Sequence, residues 1–136
     1  MDFRQTEIDV VIISASRPKL LPFVVDSFDK FIHFDGKINK YLHEDFVYPE
    51  ESEKVLKYCK TKGIKTYNHR PAQGIGNAIQ FMLNECKSEF IFILQDDFEF
   101  ELPIDLNHVL YVMDKNKHIN NIYFNKRKNI KAISGF

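Results

Sequence analysis

"IDVVIIS", Ile8 to Ser14, is a β-branched run. A strand with one face in water alternates polar and apolar residues. A strand covered on both faces does not, so this run predicts the inner strand of a parallel sheet. The period changes immediately afterwards. In "RPKLLPFVVDSFDKFI", Leu21, Val24, Val25, Phe28 and Ile32 recur at helical spacing, with Pro18 and Pro22 close to the first turn, where proline is tolerated. Gly36 closes this strand–helix unit.

The same alternation continues. "KINKYLHED" reads as a second, more polar strand. "PEESEKVLKYCKTKG" reads as a helix, with acids at its start, lysines at its end and Gly63 as its cap. "IKTYN" is a third strand, and "GIGNAIQFMLNECK" a helix with Ile75, Ala78, Ile79, Met82 and Cys86 on one face. "FIFIL", Phe90–Leu94, is expected to be a fourth strand, again buried on both faces. "IDLNHVLYVMDKN" follows as a helix, and "NNIYF" as a fifth strand before the basic cluster "NKRKNIK". Strands that alternate with helices of this length predict right-handed βαβ crossovers and an α/β fold: a Rossmann-like, mainly parallel sheet with flanking helices.

The 136 residues suit a single domain, 1–136. Nineteen basic residues balance nineteen acidic ones, so no global field favours nucleic acid, and "NKRKNIK" is read as a solvated turn. No apolar stretch is long enough for a transmembrane segment. Cys59 and Cys86 form no metal or redox motif and are read as reduced thiols of a cytoplasmic protein. The five histidines lack zinc spacing.

Parallel sheets bind ligands at the carboxyl ends of their strands. That rule gathers Ser14 to Arg17, His43 to Asp45, Asn68 to Arg70 and Gln95 to Asp97 into one candidate site. Magnesium and manganese are commonly held by one or two carboxylates plus substrate phosphates, which suits Asp96 and Asp97. If the strand runs through the pair, the two face opposite ways and Asp97 shares a face with Glu99. In "RPAQGIGNAI", Gly74 and Gly76 lie at a helix start, where free backbone N–H groups receive phosphate. The third glycine of a dinucleotide fingerprint is replaced by Ile79, and no GxxxxGK[ST] is present, so nicotinamide and P-loop chemistry are excluded. Ser16 reads as a helix cap, and Arg70 as a partner for pyrophosphate or a nearby carboxylate.

With "VVIISASRP", "YLHEDF", "RPAQGIGNAIQFMLNECKSEFIFILQDD" and "YFNKRKN" in this order, the chain resembles the N-terminal, nucleotide-sugar-binding part of a GT-A fold glycosyltransferase, family 2-like. The resemblance covers about the first hundred residues well. It implies that Ser14 and Arg17 lie against the nucleoside, that Asp45 holds the base, and that Gly76 and Asn77 open the helix before the metal strand. Gln95, Asp96 and Asp97 take the place of the DxD motif, with Asp97 on a divalent metal (Mn or Mg). Gln95 departs from the acid that the family has there.

The implied function is binding of a nucleotide sugar, UDP- or GDP-linked, and inverting transfer of the sugar to an acceptor hydroxyl. The resemblance further implies that the acceptor-binding C-terminal part lies beyond this chain, or that self-association completes it. Asp105, His108 and Asp114 are the acids and bases available on the fourth helix, and none has the sequence context of a catalytic base. A non-catalytic nucleotide-binding module of the same fold and a nucleotidyltransferase-like α/β protein are the alternatives. The latter ordinarily carries a Gly-rich loop after the first strand, which "SASRPKLL" lacks.

Overall fold

The computed structural model describes residues 2–124. In chain order the elements are β1 (Glu7–Ser14), α1 (Leu21–Phe31), β2 (Ile32–His33), β3 (Lys37–Asp45), α2 (Pro49–Lys62), β4 (Lys65–His69), α3 (Ile75–Glu85), β5 (Phe90–Gln95), β6 (Ile104–Asp105) and α4 (Leu106–Lys115). The main sheet has the order β4-β3-β1-β5, and every pair in it is parallel. β2 and β6 form a separate two-residue parallel pair that ties the end of α1 to the start of α4.

β1 is central, and its residues after Glu7 are buried on both faces, as its mostly apolar run, interrupted by Asp9, predicts. Ile8, Val10 and Ile12 point to the face covered by α1, α2 and α4, where they meet Leu21, Val24, Phe28, Val55, Cys59 and Leu106. Val11 and Ile13 point the other way, to Ala78 and Met82 of α3. Helix boundaries follow the local chemistry. α1 carries Pro22 in its first turn, and α2 starts at Pro49 and ends on Gly63, whose left-handed φ of 68° lets its N–H reach the carbonyls of Cys59 and Lys60. Both cysteines are free, and burial pushes the Cys59 thiol up to about 12 and the Cys86 thiol up to about 11. Among the described residues no helix is long and apolar enough to cross a membrane.

Two expectations are corrected. "FIFIL" is not buried on both faces: only Leu94 is buried, and Ile93 is 38% exposed. The reason is position. Among the described residues β5 is an edge strand, paired only with β1, and α3 covers its outer face in part. "NNIYF" forms no strand; Phe124 instead stacks on Phe92 with ring centroids 5.5 Å apart. The basic cluster "NKRKNIK" lies outside the described residues. The polar second strand is the full nine-residue β3, and its last four residues, Leu42 to Asp45, are all buried.

Candidate functional site

The chain runs outward from β1 to β3 to β4, then returns to the other side of β1 as β5. The strand order therefore reverses between β1 and β5, and the carboxyl ends of these two strands flank the crevice where such sheets bind ligands. Arg17 and the Asp96–Asp97 pair lie at that point.

Three buried polar residues shape the loop after β1. Ser16 has φ 54°, a left-handed conformation that is costly for a residue with a side chain. Hydrogen bonds hold it there. Its N–H donates to Glu44 Oε2 at 2.8 Å, its Oγ lies 2.8 Å from Ser52 Oγ, and that same Oγ accepts from the Tyr48 N–H at 2.8 Å. Ser52 also donates to Glu44 Oε2 at 2.7 Å. Glu44 is fully buried; burial pushes its carboxyl above its ordinary value, against the hydroxyls of Ser14 and Ser52 and the Ser16 amide. Ser16 therefore does not cap α1, whose N-cap is Leu20 with no side-chain cap bond. It ties β1 to the start of α2 and turns the next residue toward β5.

That next residue is Arg17. Its Nε donates to Asp96 Oδ2 at 3.1 Å and its Nη2 donates to Asp96 Oδ1, a two-pronged contact with a carboxylate that has no exposure to solvent. The Ala15 N–H donates to Asp96 Oδ2 as well. Hydrogen bonding to Asp96 holds the Arg17 guanidinium above its ordinary value. Nη1 lies 3.8 Å from Asp97 Oδ2. The backbone explains how two adjacent acids face one cation. β5 ends at Gln95, the Asp96 N–H still bonds the Ile13 carbonyl, and the Phe98 N–H folds back on the Gln95 carbonyl at 3.1 Å. The pair sits in a turn, so strand alternation does not separate it, and Glu99 is not its strand-face partner.

The other expected residues divide into those near this point and those with different work. Ser14 is 1% exposed, with its side chain on the Glu44 side of β1. Asp45, 5% exposed, accepts from the Gln73 N–H at 3.1 Å and the Gly74 N–H at 2.8 Å, so it fixes the loop that leads into α3. Gly74 has φ 89°, a conformation that suits glycine. Gly76 is exposed, with open space where a Cβ would stand. The Asn77 amide donates to the Gln73 carbonyl and closes the same loop. Arg70 stacks on the Phe46 ring at 3.8 Å and pairs with Glu53 at 3.0 Å.

Sequence reasoning missed the role of Glu44, Ser52, His43 and His69. His43 Nε2 and His69 Nδ1 are 2.7 Å apart, and both rings pack against Phe81. Burial holds His43 below its ordinary value. The available signal was "HED" at the end of a parallel strand: three consecutive polar residues, pointing alternately to both covered faces, each need an internal partner.

Asp105 caps α4 by accepting from the Asn107 N–H, and Asp114 pairs with Lys117. β6 joins β2 at the end of α1, so Asp105 lies toward the end of the sheet opposite Asp97. Among the described residues no three His, Cys, Asp or Glu side chains cluster as a ready-made metal site. Asp97, an exposed carboxylate at the crevice, fits the one-carboxylate share that magnesium or manganese asks of a protein when phosphates supply the rest.

These features define a Rossmann-like α/β fold with a mainly parallel sheet flanked by helices. Among solved structures, the crystal structure of S. aureus TarS, a glycosyltransferase, is similar, with a TM-score of 0.62 and 12% sequence identity over 88% of this chain. The present chain spans 23% of TarS. No family model matches the chain. No curated protein matches it.

Proposed function

We propose that this chain is a nucleotide-sugar-binding part of a glycosyltransferase. The observation that carries the reading is the Arg17–Asp96–Asp97 constellation at the β1/β5 switch point of a glycosyltransferase-like fold. The diphosphate of a UDP- or GDP-sugar would lie across these strand ends. Arg17, 45% exposed along its side chain, can turn its guanidinium to the phosphates, as its planar fork suits. The exposed start of α3, with Gly76 open to close approach, offers backbone N–H groups to the same charge. Asp45 contributes by holding the Gln73–Gly74 loop, and through it the start of α3.

A divalent cation, manganese or magnesium, would supply charge neutralisation on the departing diphosphate. Asp97 is the residue to hold it, with Asp96 directing Arg17 beside it. Inverting transfer also needs a base to take the proton of the acceptor hydroxyl. Asp105 and Asp114 are engaged as a helix cap and in a surface ion pair, and His108 lies exposed on the same helix, so no residue is assigned to this step.

The test is a melting-temperature panel of UDP, GDP, CDP and ADP with and without manganese. A ligand that binds only the folded state raises the midpoint, by about 2.7 kcal/mol of stability at a hundred times its Kd. UDP or GDP with manganese is expected to give the largest shift. No shift by any of them at millimolar concentration would refute the proposal.

A further inference from the structure

We propose that Arg17 is a built-in counter-cation that holds the Asp96–Asp97 carboxylates until a nucleoside diphosphate draws it away, so that metal and nucleotide bind with positive coupling. This rests on the reading above and adds an order of events to it. Asp96 has no exposure, and both its oxygens are already occupied, by the Arg17 fork and by the Ala15 N–H. Nη1 at 3.8 Å also puts positive charge beside Asp97, which is 36% exposed and is the carboxylate a cation could reach. A divalent cation arriving alone therefore meets a guanidinium at contact range of its ligand, and like charges at that distance repel.

Arg17 cannot simply leave. A buried carboxylate stripped of its partner is strongly disfavoured. A diphosphate changes both sides of the exchange. It gives the guanidinium a second anion to bind bidentately, and it brings oxygens for the metal. The metal's charge then replaces that of Arg17 next to the two acids. The half-exposed side chain leaves room for this swing, while Ser16, locked by Glu44 and Ser52, keeps the backbone of the loop in place.

The experiment measures free manganese by electron paramagnetic resonance, titrated against wild type, Arg17→Gln and Arg17→Lys, each with and without UDP or GDP. For wild type, manganese alone is expected to bind weakly, and the nucleotide to tighten it about tenfold or more, within the usual range of coupling between two ligands. Arg17→Gln is expected to bind manganese alone about tenfold more tightly than wild type and to show a smaller coupling, with the share that the phosphate oxygens give the metal remaining. Arg17→Lys keeps the charge and is expected to stay near wild type for metal alone. Equal manganese affinity in wild type and Arg17→Gln would overturn the inference, as would failure of all three proteins to bind the metal. The metal-alone arm reads Arg17 without any nucleotide, so the failure of nucleotide binding, which would sink the functional proposal, is seen separately in the other arm.

Discussion

Asp9 offers a direct test of how the sheet is held together. It lies in β1, 2% exposed, on the α3 face of the sheet. Oδ2 accepts from the Lys87 N–H at 3.0 Å and the Ser88 N–H at 3.1 Å; Oδ1 accepts from Ser88 Oγ at 2.9 Å and Asn39 Nδ2 at 3.0 Å. One carboxylate thus fixes β3 and the entry to β5 against β1. Asp9→Asn keeps the shape. Its cheapest orientation turns the new NH2 toward Ser88 Oγ and Asn39, which can reverse their roles, Asn39 by giving up its 3.3 Å bond to Glu7, and leaves the amide oxygen to the two backbone N–H groups. Those two bonds then lose charge assistance, worth about 1 kcal/mol each. Relief from burying a charge offsets part of this, so the expected loss is about 1–3 kcal/mol, or roughly 3–12 °C in melting temperature for a domain of this size.

The pH dependence gives a second handle on the same residue. Burial alone would raise the Asp9 carboxyl, but the bonds from Ser88, Asn39 and Lys87 outweigh it and hold the group below its ordinary 3.8. A depressed carboxylate stabilises the fold above its unfolded value, and that contribution is lost as pH falls through the folded value. The deficit of Asp9→Asn should therefore be full at pH 7 and shrink below about pH 4. Urea unfolding of both proteins at pH 7, 4 and 3 measures it. A deficit under about 0.5 kcal/mol at neutral pH, the range of ordinary surface changes, would refute the anchoring role. A deficit that does not change with pH would refute the charge assistance.

Three further outcomes follow from buried groups and the candidate site. Burial holds His43 below its ordinary 6.5, so the folded state binds fewer protons and stability should fall as pH drops from 7.5 to 5.5; His43→Gln should flatten that slope in denaturant titrations. Glu44 is shifted the other way by burial, so its ionisation destabilises the fold above its ordinary 4.5; Glu44→Gln should gain most over wild type at pH 8 and lose that gain toward pH 4.5. Asp97→Asn should remove the manganese-dependent part of nucleotide binding, whereas Glu99→Gln, exposed and outside the turn that faces Arg17, should leave it intact by calorimetry.

The sheet was legible because β1 and β5 are written as mostly apolar runs, because the helices are written as 3.6-residue stripes, and because the polar strands β3 and β4 fall between them in strict alternation. "IDVVIIS" could hardly be anything but an inner parallel strand. "FIFIL" reads the same way yet lies at an edge among the described residues, because a sequence run states a residue's hydrophobicity and not how many neighbours it finds. The juxtaposition of Arg17 with the two aspartates was legible in outline, since strand-end rules gather the ends of β1 and β5. What the rules could not give was which acid meets which partner. Asp96 and Asp97 depend on a turn one residue after the strand stops, and Asp45 depends on the backbone N–H groups of a loop almost thirty residues away. The buried "HED" triplet needed tertiary partners, Ser16, Ser52 and His69, that no local pattern names.

The central claim is that a nucleoside diphosphate binds where β1 and β5 end. Backbone amide NMR of the isotope-labelled chain, titrated with UDP or GDP and magnesium, tests it residue by residue. The account predicts saturable shifts at Ala15 to Arg17, Gly74 to Asn77 and Asp96 to Asp97, with Lys87 and Ser88 at the opposite end of the sheet unchanged. Saturable shifts centred elsewhere, or none at millimolar nucleotide, would contradict it.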